Sequence, residues 1–216
     1  MKRLIVGISG ASGAIYGIRL LQVLRDVDDV ETHLVLTPAA RRTVPLETDL
    51  SVRSVEALAD YCYRPADIAA AISSGSFRTE GMVVAPCSMK TVSGIATSYS
   101  GDLLLRAADV TLKERRRLVL LVRETPLHLG HLRLLVQVAE LGAMVAPPVP
   151  AFYHRPATLQ QVIDQTVNRT CDLLGIELSK DLFARWQGPA AHLPAHTGQG
   201  NGQAPPVDDR AIHPAV

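Results

Sequence analysis

The chain has 216 residues, 47% of them hydrophobic, and a formal net charge of +1. That suits one globular domain with a sizeable core, and it excludes a global field that would draw the protein to nucleic acid or anionic membrane. No apolar run is long enough to span a bilayer, and Gly7 and Gly10 interrupt the N-terminal one, so neither a membrane segment nor a signal peptide is expected. In chain order, the first apolar run is "RLIVGI" (3–8), followed by a helical pattern over 13–26 with Arg19, Gln22 and Asp26 on one polar stripe. Further short, non-alternating runs follow at 32–37, 81–86, 117–122 and 143–147. Such runs suit strands buried on both faces. Helical patterns lie at 103–115, where Asp109 and Lys113 are spaced to pair, and at 129–141 and 158–174, with Gly142 and Gly175 as C-terminal caps. Alternating strands and helices predict a parallel α/β sheet over residues 1–186. From 187 the texture turns rich in Pro, Gly, Ala and His, which predicts a disordered tail over 187–216. The three cysteines, Cys62, Cys87 and Cys171, form no C-x-x-C and predict a reduced, cytoplasmic protein.

The chemistry-bearing candidates collect just after the predicted strands, where ligands bind in such sheets. "GISGASGAIYG" (7–17) joins the first strand to the first helix with G-x-x-G-x-x-G spacing. It is neither a dinucleotide fingerprint nor a P-loop. It fits a phosphate site on the helix N-terminus, with Ser12 as cap or anion donor, and it fits equally a tight turn allowing close helix packing. Thr37 ends the second strand, and Ser88 and Thr91 open the helix after the third run, where Ser88 also reads as a plain N-cap. Cys87 has no identifiable base beside it and reads as inert. The run 117–122 leads straight into "RETP" (123–126), placing Arg123 and Glu124 together: an arginine to clamp a phosphate or flavin carbonyl, a carboxylate to move a proton. Arg115 to Arg117 read as a solvated helix end, while Lys113 shares a helix face with Arg106. His128 and His131 have i,i+3 spacing without a third ligand, and His192, His196 and His213 are too irregular for a metal site, so none is expected.

Taken together and in order, "GASGAIYG", "LETD", "PCSMKTVSGIA", "RAADVTLKERRRLVLLVRETPLH" and "PAFYHRP" resemble the UbiX-like flavin prenyltransferases over nearly all of 1–186. The closest resemblance is to members accompanying phenolic or hydroxyaryl acid decarboxylases. The resemblance implies a Rossmann-like (flavodoxin-like) three-layer sandwich and a homo-oligomer, typically a dodecamer. It implies that a dimethylallyl group from dimethylallyl phosphate is joined to N5 and C6 of reduced FMN, without a metal. The prenylated FMN then serves a UbiD-like decarboxylase.

By the same resemblance, Gly10, Ala11, Ser12, Thr37, Ser88, Met89, Lys90, Thr91 and Arg123 contact the flavin. Lys113, Tyr153 and Arg169 contact the dimethylallyl phosphate, and Arg169 reaches a neighbouring subunit's site; Arg106 joins the substrate-binding candidates because it shares the helix face of Lys113. Ser12, Glu47, Lys113 and Glu124 act in the reaction: cations and donors meet the leaving phosphate, Glu124 accepts the C6 proton, and Glu47 manages the proton at N5. Ser9, where threonine is common, and "HLGHLRLL" depart from the family pattern. A flavin-dependent cysteine decarboxylase and a non-catalytic FMN-holding subunit stand as alternatives.

Overall fold

The computed structural model describes residues 1–188; the tail read from 187 lies, but for its first two residues, outside the described residues. Six strands form one parallel sheet: β1 (Lys2–Ile8), β2 (Val30–Leu36), β3 (Tyr61–Tyr63), β4 (Gly81–Cys87), β5 (Arg117–Val122) and β6 (Met144–Val145), in spatial order β3-β2-β1-β4-β5-β6. The order is that of a Rossmann sheet; without the three-residue edge strand β3 it is the flavodoxin order. The chain reverses its direction of travel across the sheet between β1 and β4, so a crevice opens there beyond the strands' carboxyl ends.

The strands read as continuous apolar runs because both faces are covered. All seven residues of β4 are buried. Side chains alternate between two cores, as a period of two requires. Leu4, Val6 and Ile8 of β1 join Leu34, Leu36, Val83 and Val119 on one face, under α1 (Ala14–Leu24) and α7 (Leu159–Leu174). Ile5 joins Val35, Met82, Val84 and Leu120 on the other, under α4 (Met89–Ala96) and α5 (Leu103–Lys113). The long helices follow the predicted patterns within two residues, and Gly142 (φ 101°) and Gly175 (φ 71°) end α6 (Leu129–Glu140) and α7 in the left-handed region.

Several elements escaped the sequence pattern. β3 is too short to show a period, α2 (Pro38–Glu47) carries Pro45 and buries only Ala40 and Val44, and α3 (Val52–Glu56) is five residues long. Three pairings also differ from expectation. Asp109 pairs with Arg106 at 2.9 Å, leaving Lys113 to its neighbour Glu114. Arg19, on the polar stripe of α1, points to α7 and meets Asp164 at 2.7 Å. The basic run is not a solvated helix end, since α5 stops at Lys113. Arg116 donates to the Gly75 and Phe77 carbonyls (2.7 and 2.9 Å), and Arg117 donates to the Leu174 carbonyl (2.7 Å). Among the described residues no helix is long and apolar enough to cross a membrane.

Candidate functional site

At the crevice, Ser9 fastens the two strands that part. Its hydroxyl donates to the Pro86 carbonyl and accepts from the Ser88 amide, both at 2.8 Å, and it is 1% exposed. This staple sets β1 and β4 at one height, so the turns that follow them face each other. Its importance escaped the sequence, where Ser9 is one hydroxyl in a loop of small residues.

The glycine turn then has a steric explanation. Gly13 caps α1 with φ 102°, a conformation side chains resist. A Cβ on Gly10 would collide with the Cβ of Ala39 at the start of α2. The turn is therefore small so that α2 can close on the crevice. The expected use of α1's N-terminus for phosphate is corrected here. Its first amides are already taken, because Glu47 Oε2 accepts from Gly13 (2.8 Å) and Ala14 (3.1 Å). Nor does Ser12 cap the helix; its hydroxyl donates to Glu47. Burial pushes the Glu47 carboxyl up, but these three hydrogen bonds and the charge of Arg123 outweigh it and hold the group below its ordinary value. Glu47 is thus a carboxylate at neutral pH, an acceptor and not a donor.

Beside this trio of Ser12, Glu47 and Arg123 lies a cleft of about 300 Å³. Its lining includes Gly10, Thr37, Arg42, Ser88, Lys90, Thr91 and Asp102. Three helices start on it. Thr37 accepts from the Ala40 amide (3.1 Å), Ser88 from the Thr91 amide (3.3 Å) and Asp102 from the Leu105 amide (2.9 Å), each as an N-cap. Capping and ligand contact are compatible, because a hydroxyl keeps its proton and a second lone pair while it caps. Met89 is buried in the core, which leaves only its backbone for the rim. Two larger hollows, of about 600 and 660 Å³, lie elsewhere. One is at the start of β2, lined by Arg25, Glu31 and Asp60; the other is beside β3, where the Arg41–Glu56 ion pair sits. The 600 Å³ hollow lies at the opposite end of β2 from the crevice and borders none of the predicted site residues.

Of the remaining predicted residues only Glu124 reaches this rim within one chain. Glu124 follows β5 at the rim and is exposed; its carboxylate accepts from the Thr125 amide at 3.0 Å. Arg106, one turn into α5, is tied to the Ser73 carbonyl (3.2 Å) and Asp109. Lys113 ends α5 four residues before β5 begins, at the opposite edge of the sheet and roughly 20 Å from the rim at the rise of a six-residue strand. Arg169 lies in the half of α7 that runs toward that same edge, paired with Asp172 at 2.7 Å. Tyr153 is 46% exposed in the loop before α7, edge-on to His154. His128 caps α6, its Nδ1 accepting from the Gly130 amide at 3.0 Å, which fits its reading as a non-metal histidine. Among the described residues no cluster of His, Cys, Asp or Glu could hold a metal. Complete burial pushes the Cys87 thiol well up, so it is inert as a nucleophile.

Comparison with known proteins gives the same direction. The family model described as Flavoprotein matches residues 1–168. The chain is 71% identical over 188 residues to the flavin prenyltransferase UbiX of Escherichia coli, covering 87% of this chain and all of the relative. A crystal structure of AnUbiX in complex with FMN and dimethylallyl pyrophosphate superposes with TM-score 0.84 at 49% identity, over 87% of this chain and 98% of that one. A dodecameric FMN-dependent UbiX-like decarboxylase from Escherichia coli superposes at 0.83 with 50% identity, over 86% and 100%. On sequence and fold alike, the chain belongs to the Flavoprotein family and, within it, to the UbiX-type flavin prenyltransferases.

Proposed function

We propose that this protein is a flavin prenyltransferase that joins a dimethylallyl group from dimethylallyl phosphate to N5 and C6 of reduced FMN. Its product, prenylated FMN, is the cofactor of a UbiD-like decarboxylase, and the work is done in the cytoplasm without a metal. The observation that carries the reading is the Ser12–Glu47–Arg123 trio set against a cation-lined cleft at the point where the sheet reverses. The residues there fit FMN. The cleft offers hydroxyls and two cationic side chains to a phosphate and ribityl chain, and Gly10 on its lining adds no side chain. When bound, reduced FMN supplies the nucleophilic ring atoms.

The chain supplies the rest. Gly10, Ala11, Thr37, Ser88, Met89, Lys90, Thr91 and Arg123 hold the flavin. Ser12 gives its one proton to Glu47 and so orients that carboxylate at the ring end of the site. Glu47, held ionised, accepts a proton at the N5 end of the site, and the leaving phosphate is that proton's final taker; exposed Glu124 accepts the one from C6, and the dimethylallyl double bond takes up one proton as its far carbon bonds to C6. Arg106, Lys113 and Arg169 neutralise the developing phosphate charge, and the Tyr153 hydroxyl donates to it. Because Lys113 and Arg169 sit away from their own rim, they serve a neighbouring subunit's site in a homo-oligomer, read as a dodecamer. The chain's surface supports assembly: α6 buries only Val138, while Leu129, Leu132 and Val136 on one face are 60, 46 and 56% exposed.

The test mixes inactive Arg169→Ala with inactive Glu124→Ala subunits under exchange. Shared sites predict recovered activity in mixed oligomers; no recovery despite demonstrated exchange contradicts them.

A further inference from the structure

Arg42 plays no part in the site as read from the sequence, yet it lines the cleft beside the flavin rim. It is the fifth residue of α2, exposed, and among the described residues it takes part in no hydrogen bond or ion pair. The preceding arginine behaves differently: Arg41 turns to the other side of α2 and pairs with Glu56. Lys90, across the cleft on α4, is likewise without a partner among the described residues. The one carboxylate on the cleft, Asp102, already faces the N-terminus of α5 and accepts from its Leu105 amide. A concave, hydroxyl-lined cleft that keeps two unpaired cations is built for an anion.

We propose that Arg42 is a specificity-determining residue that reads the terminal phosphate monoester of the flavin. The inference rests on the flavin reading above and extends it. At the other end of the rim, the α1 amides are filled by Glu47, a fixed negative charge that repels a phosphate dianion. The two ends therefore sort the ligand, with the phosphate at Arg42 and the ring at Ser12 and Glu47. The planar guanidinium can offer two parallel N–H donors to two phosphate oxygens, while Lys90 adds a point charge. Unphosphorylated flavin gains nothing from Arg42.

The experiment titrates the full chain with FMN and with riboflavin, read by flavin fluorescence, for wild type, Arg42→Ala, Arg42→Gln and Arg42→Lys. The wild type is expected to prefer FMN. Loss of a charge-assisted pair weakens FMN binding by about 10- to 100-fold in the Ala and Gln variants. Arg42→Lys recovers part of it, and riboflavin binding is unchanged throughout, which also reports an intact fold. The proposal is overturned if FMN affinity is unchanged in Arg42→Ala, if riboflavin weakens equally, or if the wild type binds both flavins alike. A variant that holds FMN normally but needs more dimethylallyl phosphate also overturns it, by assigning Arg42 to the other phosphate. Product formation by the wild type is assayed separately. Arg42-dependent FMN binding without any prenylated flavin would leave this inference standing and end the prenyltransferase reading.

Discussion

The two ends of the sheet treat their charges differently. Where the strands begin, the cations nearest the sheet are tied down, while Arg25, Arg78 and Arg115 take part in no hydrogen bond or ion pair among the described residues and lie on its outskirts. Lys2 pairs with Asp29 (3.2 Å), Arg3 with Glu31 (3.0 Å) and Lys113 with Glu114, while Arg116 and Arg117 saturate backbone carbonyls. Where the strands end, Arg42 and Lys90 stay unpaired among the described residues, Thr37 caps a helix while keeping its proton to donate, and Ser88 and Thr91 share one hydroxyl hydrogen bond at 3.1 Å, which leaves one proton between them. An exposed cation is satisfied by water, so the significant feature is that both line one concave, hydroxyl-lined cleft. The contrast teaches that the rim holds its cations for a ligand, and that the far edge spends most of its own on holding loops to the sheet. Lys113 is the instructive exception, since its pair is the easily exchanged one of a surface lysine.

Breaking the rim's chemistry should have the largest effect. Glu124→Gln is expected to lower the rate of prenylated FMN formation by about two to four powers of ten, the usual cost of losing a positioned proton acceptor, while FMN affinity stays. Anaerobic single-turnover measurements with mass analysis check this, and an unchanged rate would remove Glu124 from the proton path. Next in size, Gly10→Val forces α2 away from the turn. Stability should fall by about 1–3 kcal/mol, as overpacking does, and FMN binding should weaken with it. Denaturant unfolding and flavin titration read the two losses together. At the other end, Arg116→Ala should cost about 1–3 kcal/mol by leaving the Gly75 and Phe77 carbonyls without their donor, yet leave FMN affinity unaltered. If it weakens flavin binding as much as Gly10→Val, the two ends are not separable.

The smallest effects follow pH. His33 is 2% exposed, stacked on Tyr61, with Nδ1 near the Tyr63 hydroxyl (3.0 Å) and Nε2 near Glu31 (2.9 Å). Burial pulls its pKa below 6.5, against the opposing pull of Glu31. The fold therefore binds fewer protons at His33 than the unfolded chain does, so its contribution is full above about pH 6.5 and is lost as pH falls through the lowered folded value. Glu47 acts in the same sense at lower pH. Its folded value lies below 4.5, so its stabilisation is present above that value and disappears as acid protonates it. His33→Gln should flatten the first segment of a stability–pH curve and Glu47→Gln the second; a curve unchanged by His33→Gln would contradict the burial argument.

Much of the fold was legible because fully buried strands and amphipathic helices leave strong patterns. The five longer apolar runs and the helices at 14–24, 103–113, 129–140 and 159–174 stood out for that reason. β3 and α2 did not, since one is too short for a period and the other buries only two side chains. At the site, the strand-end positions of Thr37, Ser88 and Arg123 could be read from the chain, because a strand's end fixes the residue after it. What Glu47 holds could not. Its bond to the Gly13 amide spans 34 positions, and nothing local marks a carboxylate as the cap of a distant helix. Arg42 was hidden for a related reason: beside Arg41 it is half of an ordinary basic pair, and only the helix geometry sends one arginine to Glu56 and the other to the cleft.

The central claim is that the rim brings reduced FMN and dimethylallyl phosphate into reaction. The most direct measurement is an anaerobic incubation of the purified chain with both, followed by mass spectrometry of the extracted flavin. The account predicts a flavin heavier by one dimethylallyl group, formed by the wild type and suppressed in Glu124→Gln. Recovery of only unmodified FMN and intact dimethylallyl phosphate from the wild type would contradict it.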